Sequence, residues 1–222
     1  MTKGAVGVGT LIVFIAIVLV ASITATVILN TSQELQIHSY MVGKGSIRDV
    51  VSTYQIISVL GIGNRSCFVD GSYVEGVEGL IITAKLIPGA EPKDINHTTL
   101  IVQSKDLYTS SARLNDSMIF QASNISAIEV FDILKCENSS RFAIRFLTPK
   151  EKLSSVIEPG DVFEIIYPIK SDNLRGKPAC WTNCIPRARK TTIILLPAEG
   201  LSASAGYRTP VSITVKYLDL YP

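Results

Sequence analysis

Four cysteines carry the most reactive side chains of this sequence. They are Cys67, Cys136, Cys180 and Cys184. A C-x3-C pair with two distant cysteines is a poor spacing for a zinc site. Two disulfides would fit an even number of cysteines on an exported chain, and three connectivities are then possible. Local closure of Cys180 with Cys184 leaves Cys67 to pair with Cys136, and this is the pairing we expect.

Asparagines form a second set with a shared chemistry, because six of the eight begin an Asn-x-Ser/Thr sequence. This sequence is the acceptor for N-glycosylation. The six are Asn30, Asn64, Asn96, Asn115, Asn124 and Asn138. Asn30 ends a long apolar segment, so we exclude it. We expect glycans on several of the other five, with Asn64 and Asn96 lying in loops.

Catalytic chemistry has much less support in the sequence. The two histidines are His38 and His97, and neither a G-x-S-x-G nor an H-E-x-x-H sequence is present. Carboxylate pairs such as Asp161 with Glu164 are typical of solvated strand edges or turns. No D-x-D-x-D-G calcium loop occurs. We therefore expect no enzyme, no cofactor and no assignable metal site.

A basic segment at residues 175–190 holds five Lys or Arg side chains and no acid, around Trp181. It is predicted to be an exposed, disulfide-closed loop. Such a loop is either simply solvated or binds acidic cell-surface polymers or a neighbouring subunit. The net charge of the whole chain is only +2, which does not favour nucleic acid as a partner.

The beginning of the chain decides where these groups are placed. Residues 4–33 contain no Asp, Glu, Lys, Arg or His. A helix of that length extends about 45 Å, and Thr10 to Leu29 supplies the roughly 20 apolar residues that a membrane span needs. A cleaved secretion signal has a shorter apolar core of about 7 to 15 residues and a small-x-small site, which this segment lacks. It is therefore predicted to be a retained helix.

The first residues also follow a processing pattern. Lys3-Gly4 precedes Ala5-Val-Gly-Val-Gly9, and the apolar helix continues without a basic stop sequence. This start resembles that of the archaellins, archaeal flagellins whose N-terminus is similar to that of type IV pilins. The resemblance implies that a membrane leader peptidase removes residues 1–4 by cutting between Gly4 and Ala5. Gly9 stands where bacterial pilins have a glutamate, which matches archaellins.

Weaker likeness to archaellins extends over most of the chain. The similar segments are 55–60, 78–89, 195–200 and the closing Leu218-Asp-Leu-Tyr-Pro222. The resemblance implies an immunoglobulin-like β-sandwich or barrel head. It also implies a helical homo-polymer, possible sibling archaellins as co-subunits, and an ATP-driven assembly machine at the membrane.

The apolar helix is predicted to form the filament core. Thirteen residues between Leu11 and Leu29 are Leu, Ile, Val or Phe, and burying each from water stabilises by about 1.5 to 3 kcal/mol. Lipid solvates them equally well, so transfer from membrane to helix bundle depends on packing, which the small residues Ala21 and Ala25 permit. The residues assigned to core packing are Leu11, Ile12, Phe14, Ile15, Val18 and Leu19.

Apolar residues after Gln33 continue at helical spacing, so the helix is predicted to extend beyond the uncharged segment. A weakened or bent stretch is expected at Gly43 and Gly45.

The rest of the chain is predicted to be one β-rich domain. Domain limits are thus 1–4 for the leader, 5–52 for the helix and linker, and 53–222 for the outer domain. Predicted strands are 53–62, 78–88, 98–106, 117–122, 126–136, 141–148, 161–169, 189–197 and 209–220. Their spacing without intervening helices favours a sandwich or barrel.

These observations predict a fold with a long N-terminal α-helix and a β-sandwich or barrel head, of the α+β class. The expected function is a subunit of a rotating extracellular motility filament, held in the membrane before assembly. One alternative is an adhesive type IV pilin-like subunit for surface attachment. Another is a membrane-anchored extracellular binding domain, which would keep its first four residues and stay monomeric.

Overall fold

The computed structural model of this chain describes residues 3–51, 54–69, 72–104, 108–136, 141–169 and 184–221. The chain divides into two compact units, Met1–Ile47 and Arg48–Pro222. The first is helical and the second is the head.

Helix α1 runs from Lys3 to Val51, a length of 49 residues. At 1.5 Å per residue it extends over about 73 Å. No proline occurs before residue 88, so every backbone N–H of this stretch can join the helical pattern. The helix continues through Gly43 and Gly45, and the weakened or bent stretch expected there stays a prediction. All side chains from 7 to 43 are exposed.

The head is built almost entirely of strands. They are β1 (Tyr54–Val69), β2 (Ser72–Leu86), β3 (Lys93–Asp94), β4 (Thr99–Ser104), β5 (Tyr108–Gln121), β6 (Arg141–Phe146), β7 (Val156–Ile157), β8 (Val162–Pro168), β9 (Ile185–Pro186), β10 (Lys190–Leu196), β11 (Ala203–Arg208) and β12 (Tyr217–Tyr221). A 3-10 turn, Ile95–His97, precedes β4.

One large sheet contains all of these strands except β3 and β7, which pair with each other. Its order is β11-β10-β4-β5-β6-β8-β2-β1-β12, and β9 pairs with β2. Every pair is antiparallel except β5 with β6. The end strand β11 lies close to β12 and β1, so the sheet curls almost closed. The head is therefore of the expected sandwich or barrel type, in a barrel-like form.

The predicted strand at 126–136 is wrong, because this segment is helix α2, Ala127–Lys135. Ser126 accepts a hydrogen bond from the backbone N–H of Glu129, and the Glu129 carboxylate accepts from the Ser126 N–H, which is a complete capping box. Val130, Phe131 and Leu134 lie on one buried face at helical spacing. The helix is the crossover that allows β5 and β6 to run parallel.

The predicted strand at 209–220 is also largely wrong. Only its last residues form β12, and Pro210 to Lys216 have no regular structure, although Ile213 is buried. The strand before them, β11, was missed because Ala-Ser-Ala-Gly-Tyr-Arg has no β-branched residue. Small side chains there still alternate between buried and exposed.

Two hydrophobic clusters hold the head together. The larger one fills the barrel interior and includes Leu80, Ile82, Phe142, Phe146 and Phe163. The smaller one lies on the outer face of the sheet beneath α2 and consists of Ile62, Ile81, Met118, Val130, Phe131, Leu134, Ala143 and Ile166. Strands β1, β2, β6 and β8 are therefore apolar on both faces, which matches their continuous apolar runs.

Candidate assembly helix and head surface

The residues predicted to pack in a filament core form a continuous apolar surface on α1. Leu11, Ile12, Phe14, Ile15, Val18 and Leu19 are between 49% and 67% exposed. The stretch Gly7–Gly43 is long and apolar enough to cross a membrane. Exposure of an apolar surface of this size to water is unfavourable. The surface therefore requires lipid or other protein around it.

Polar side chains within this apolar surface bond to their own helix. The Thr10 hydroxyl donates to the Gly7 carbonyl at 2.9 Å, and Thr24 donates to Val20 at 2.7 Å. Thr26 donates to Ser22 at 2.9 Å. Because these hydroxyls already donate within the helix, moving them from lipid to protein leaves no donor unpaired at these three positions.

The predicted leader site lies at the start of α1. Lys3, Gly4 and Ala5 occupy its first helical turn, and the side chains of this turn are outside the described part of the structure. The cut between Gly4 and Ala5 stays a prediction.

Close packing holds the centre of helix α2 against the sheet. The Phe131 ring lies directly over Gly79 of β2, where an added Cβ would come within 2.2 Å of its Cε2 atom. A side chain at position 79 would push the ring away. The absence of a Cβ thus allows the helix to approach the sheet closely.

Charged groups fix both ends of α2. Before the helix, Arg145 Nη2 binds Glu164 Oε2 at 2.6 Å, and its Nη1 donates to the Ile125 carbonyl at 3.2 Å. At the other end, Lys135 Nζ binds Glu78 Oε2 at 3.0 Å. Asn64 Nδ2 donates to the same Glu78 oxygen at 2.9 Å.

The sequons lie in different environments. Asn64 is inside strand β1, not in a loop, and Asn96 is in the 3-10 turn before β4. Asn124 is exposed in the turn after β5. The side chain of Asn115 and the whole of Asn138 lie outside the described residues. Glycosylation of any of them stays a prediction.

Among the described cysteines, Cys136 and Cys184 are both disulfide-bonded. Cys136 caps the C-terminal end of α2, and Cys67 lies in β1 opposite Val74. Cys180 is outside the described residues, as are Trp181 and most of the basic segment. The pairing of Cys67 with Cys136 and of Cys180 with Cys184 stays a prediction.

The described end of the basic segment is a structured turn. Ala188 has a positive φ of 59°, and the Arg189 N–H donates to the Thr209 hydroxyl at 2.8 Å. Arg187 Nη1 lies 4.0 Å from Glu75 Oε2, with both side chains well exposed. These residues connect neighbouring segments of the head.

A cleft of about 160 Å³ lies on the surface of the head. Tyr54, Asp94, His97, Thr98 and Glu199 are among its lining residues. Burial raises the pKa of the Tyr54 hydroxyl, which lies 3.2 Å from the Thr98 hydroxyl. No group of three or more His, Cys, Asp or Glu side chains within the described residues is placed to hold a metal ion.

The described chain thus combines a helix of membrane-spanning length, whose apolar side chains are exposed, with a head that has its own hydrophobic core. Comparison with known protein families identifies the class of protein. The chain belongs to the archaeal-type flagellin family, whose profile matches residues 4–205. It is a structural subunit of an extracellular archaeal motility filament.

Individual relatives agree with this assignment. Flagellin B5 of Pyrococcus abyssi is 32% identical over 164 residues, covering 72% of this chain and 73% of the relative. The fold is similar to that of an archaeal flagellin from Methanocaldococcus jannaschii, with a TM-score of 0.56 and 18% identity over 77% of this chain and 97% of the other. It is also similar to the archaeal flagellum of Methanospirillum hungatei, with a TM-score of 0.56 and 15% identity over 97% and 99% of the two chains.

Proposed function

We propose that this filament subunit polymerises through the apolar surface of α1, with the head carried on the outside. The observation that supports this most directly is the exposure of Leu11, Phe14, Ile15 and Val18 on a helix whose threonine hydroxyls are satisfied internally. In the membrane these side chains contact lipid. In the filament the equivalent helices of other copies take the place of lipid.

Assembly in this scheme depends on packing and not on hydrophobic transfer. Lipid tails are as apolar as Leu and Ile side chains, so exchanging one for the other changes the hydrophobic free energy little. The equilibrium between the membrane pool and the polymer is then close to balanced, and an energy-driven assembly machine determines its direction. Removal of residues 1–4 also removes the Lys3 side chain and leaves the new α-ammonium group of Ala5 as the positive charge at this end of the helix.

The role of the chain is mechanical. Its polar clusters tie structural elements together: Arg145 with Glu164, Lys135 with Glu78, and Lys150 with Asp161, the last at 2.6 Å. We infer that the subunit has no catalytic activity of its own. We also propose that several sequons carry glycans in the exported filament.

The first experiment is mass spectrometry of protein sheared from the cell surface. A chain beginning at Ala5 supports processing with the helix retained, and extra mass on sequon peptides supports glycosylation. A chain beginning near Gln33, or an intact Met1, would refute assembly through a processed α1. Loss of swimming on deletion of the protein, with surface attachment unchanged, supports a motility role over adhesion.

A further inference from the structure

The folded head does not offer its sequons equally to a glycosyl transferase. N-glycosylation joins Asn Nδ2 to the anomeric carbon of a sugar that is activated as a lipid phosphate. The N–C bond forms, the C–O bond to phosphate breaks, the lipid phosphate leaves and Nδ2 loses one proton. The transferase must reach both the asparagine amide and the Ser or Thr hydroxyl two residues later.

In the Asn96 sequon, the Thr98 hydroxyl is inaccessible to a transferase while the head is folded. Thr98 is 1% exposed, and its Oγ1 lies 3.2 Å from the hydroxyl of Tyr54, which is 2% exposed. The Asn96 Oδ1 atom is itself buried. A transferase can therefore bind this sequon only after the start of β4 has left the barrel, which requires the head to open.

At Asn64 the reacting nitrogen is already engaged. Its Nδ2 donates to Glu78 Oε2 at 2.9 Å, and Lys135 binds the same oxygen. Glu78 is 7% exposed. Attack by this nitrogen requires Asn64 to break this charge-assisted hydrogen bond, which takes one donor away from the buried Glu78 carboxylate.

Asn124 is presented differently. Both Asn124 and Ser126 are exposed. The hydrogen bond described for the Asn124 side chain uses Oδ1, which accepts from the Ser123 hydroxyl at 2.9 Å. Ser126 has an extended backbone, and its hydroxyl donates to Glu129 Oε2 at the surface. Fraying of the first turn of α2 is enough to release this hydroxyl.

Among the three head sequons whose asparagine side chains the structure describes, we propose that Asn124 is the acceptor available to a lipid-phosphate oligosaccharide transferase after folding, whereas Asn64 and Asn96 are acceptors only before the head folds. This ranking rests on the glycosylation in the proposed function. It predicts that Asn64 and Asn96 are modified before the head folds, whereas Asn124 can also be modified afterwards.

The test compares the full chain in detergent micelles with three unfolded reference peptides, residues 60–70, 92–102 and 120–130. Both receive a purified single-subunit oligosaccharyl transferase that modifies all three peptides, with a fluorescent lipid-linked oligosaccharide as donor. The peptide rates correct for the intrinsic quality of each sequon. Relative to the peptides, the rate at Asn124 should exceed the rates at Asn96 and Asn64 by at least about 100-fold in the folded chain.

Similar corrected rates at all three sites would overturn the proposal. The variant Tyr54→Phe separates burial from hydrogen bonding, because it removes the hydroxyl partner while Thr98 stays covered. Modification of Asn96 should remain low in this variant, and a high rate would contradict the argument from burial. Glycan-free filaments from cells would refute glycosylation in the proposed function, whereas the assay with purified components tests the ranking separately.

Discussion

The two α-helices in the described part of this chain differ in length and in what their apolar side chains contact. Helix α1 has 49 residues, and its described side chains are all exposed. Helix α2 has nine residues and buries Val130, Phe131 and Leu134 against the sheet. A helix of nine residues is not stable alone in water, so α2 depends on its tertiary contacts. The length of α1 makes its helical form independent of the head, but its apolar surface depends on other molecules.

This difference predicts that changes in α1 affect assembly and changes around α2 affect folding. The largest effect is expected for Ile15→Asp. A carboxylate in the middle of an apolar helix is unfavourable by about 2.5 to 3.5 kcal/mol in a membrane, and it is equally unpaired in a helix bundle. Filaments sheared from cells should fall by more than about tenfold, measured by quantitative blotting.

Ile15→Leu is the matched control and should leave the yield of filaments unchanged. Head folding should be the same in both variants, because Ile15 lies in the other unit of the chain. Normal filaments from Ile15→Asp would show that this part of α1 does not pack in an apolar core.

The second prediction concerns the centre of the α2 interface. Phe131→Ala should reduce the free energy of unfolding of the head by about 3 to 5 kcal/mol, because it leaves a cavity over Gly79. Urea unfolding of the full chain in micelles, followed by near-UV circular dichroism, measures this. Ile133→Ala on the same helix is 46% exposed and should change the free energy by less than about 1 kcal/mol. Equal effects would mean that α2 is not docked as described.

The third prediction concerns the anchor before α2. Arg145→Met leaves Glu164 without its cation and the Ile125 carbonyl without its donor, and we expect a loss of about 2 to 3 kcal/mol in the same unfolding experiment. Arg187→Met is the comparison, since its contact with Glu75 is 4.0 Å long and well exposed. Such surface pairs contribute about 0 to 1 kcal/mol. A larger loss from Arg187→Met would reverse this assignment.

The smallest effect is expected from the capping box. Hydrogen bonds from the Ser126 backbone and hydroxyl hold the pKa of Glu129 below its usual range. The stabilisation by the ionised carboxylate is therefore present above the unfolded pKa of about 4.3 and is lost as the pH falls through the lower folded pKa. Thermal unfolding of Glu129→Gln should differ from the parent chain at pH 7 and match it at low pH. A thermal unfolding curve of Glu129→Gln that coincides with that of the parent chain at pH 7 would contradict this role of the carboxylate.

Several elements were predictable because local residues determine them. The uncharged segment up to Gln33 predicts α1, and the alternation in Phe142-Ala-Ile-Arg-Phe predicts β6. The capping box of Ser126 and Glu129 was a visible signal for α2, although the β-branched and aromatic residues of the segment suggested a strand. Strand β11 had no comparable signal, because its side chains are small and only its neighbours make it a strand.

The environments of the candidate sites were less predictable. Asn64 and Asn96 have equivalent sequons, and nothing local distinguishes them from Asn124. Pairing of β1 with β2 brings Asn64 to Glu78, a residue 14 positions away in the chain. Packing of Thr98 against Tyr54 joins residues 44 positions apart. Contacts over such separations depend on sheet register, which a single sequence specifies only through its complete fold.

The sequence by itself determined that this chain has a membrane-length apolar helix and a β-rich head, because composition and periodicity act over a few neighbouring residues. It also carried the family likeness in its first residues. Only the tertiary structure decided that β5 and β6 run parallel, that α2 covers one face of the sheet through Phe131 and Gly79, and which sequon hydroxyls stay at the surface. These features depend on which distant segments become neighbours, since burial is a property of the folded head and not of any one segment.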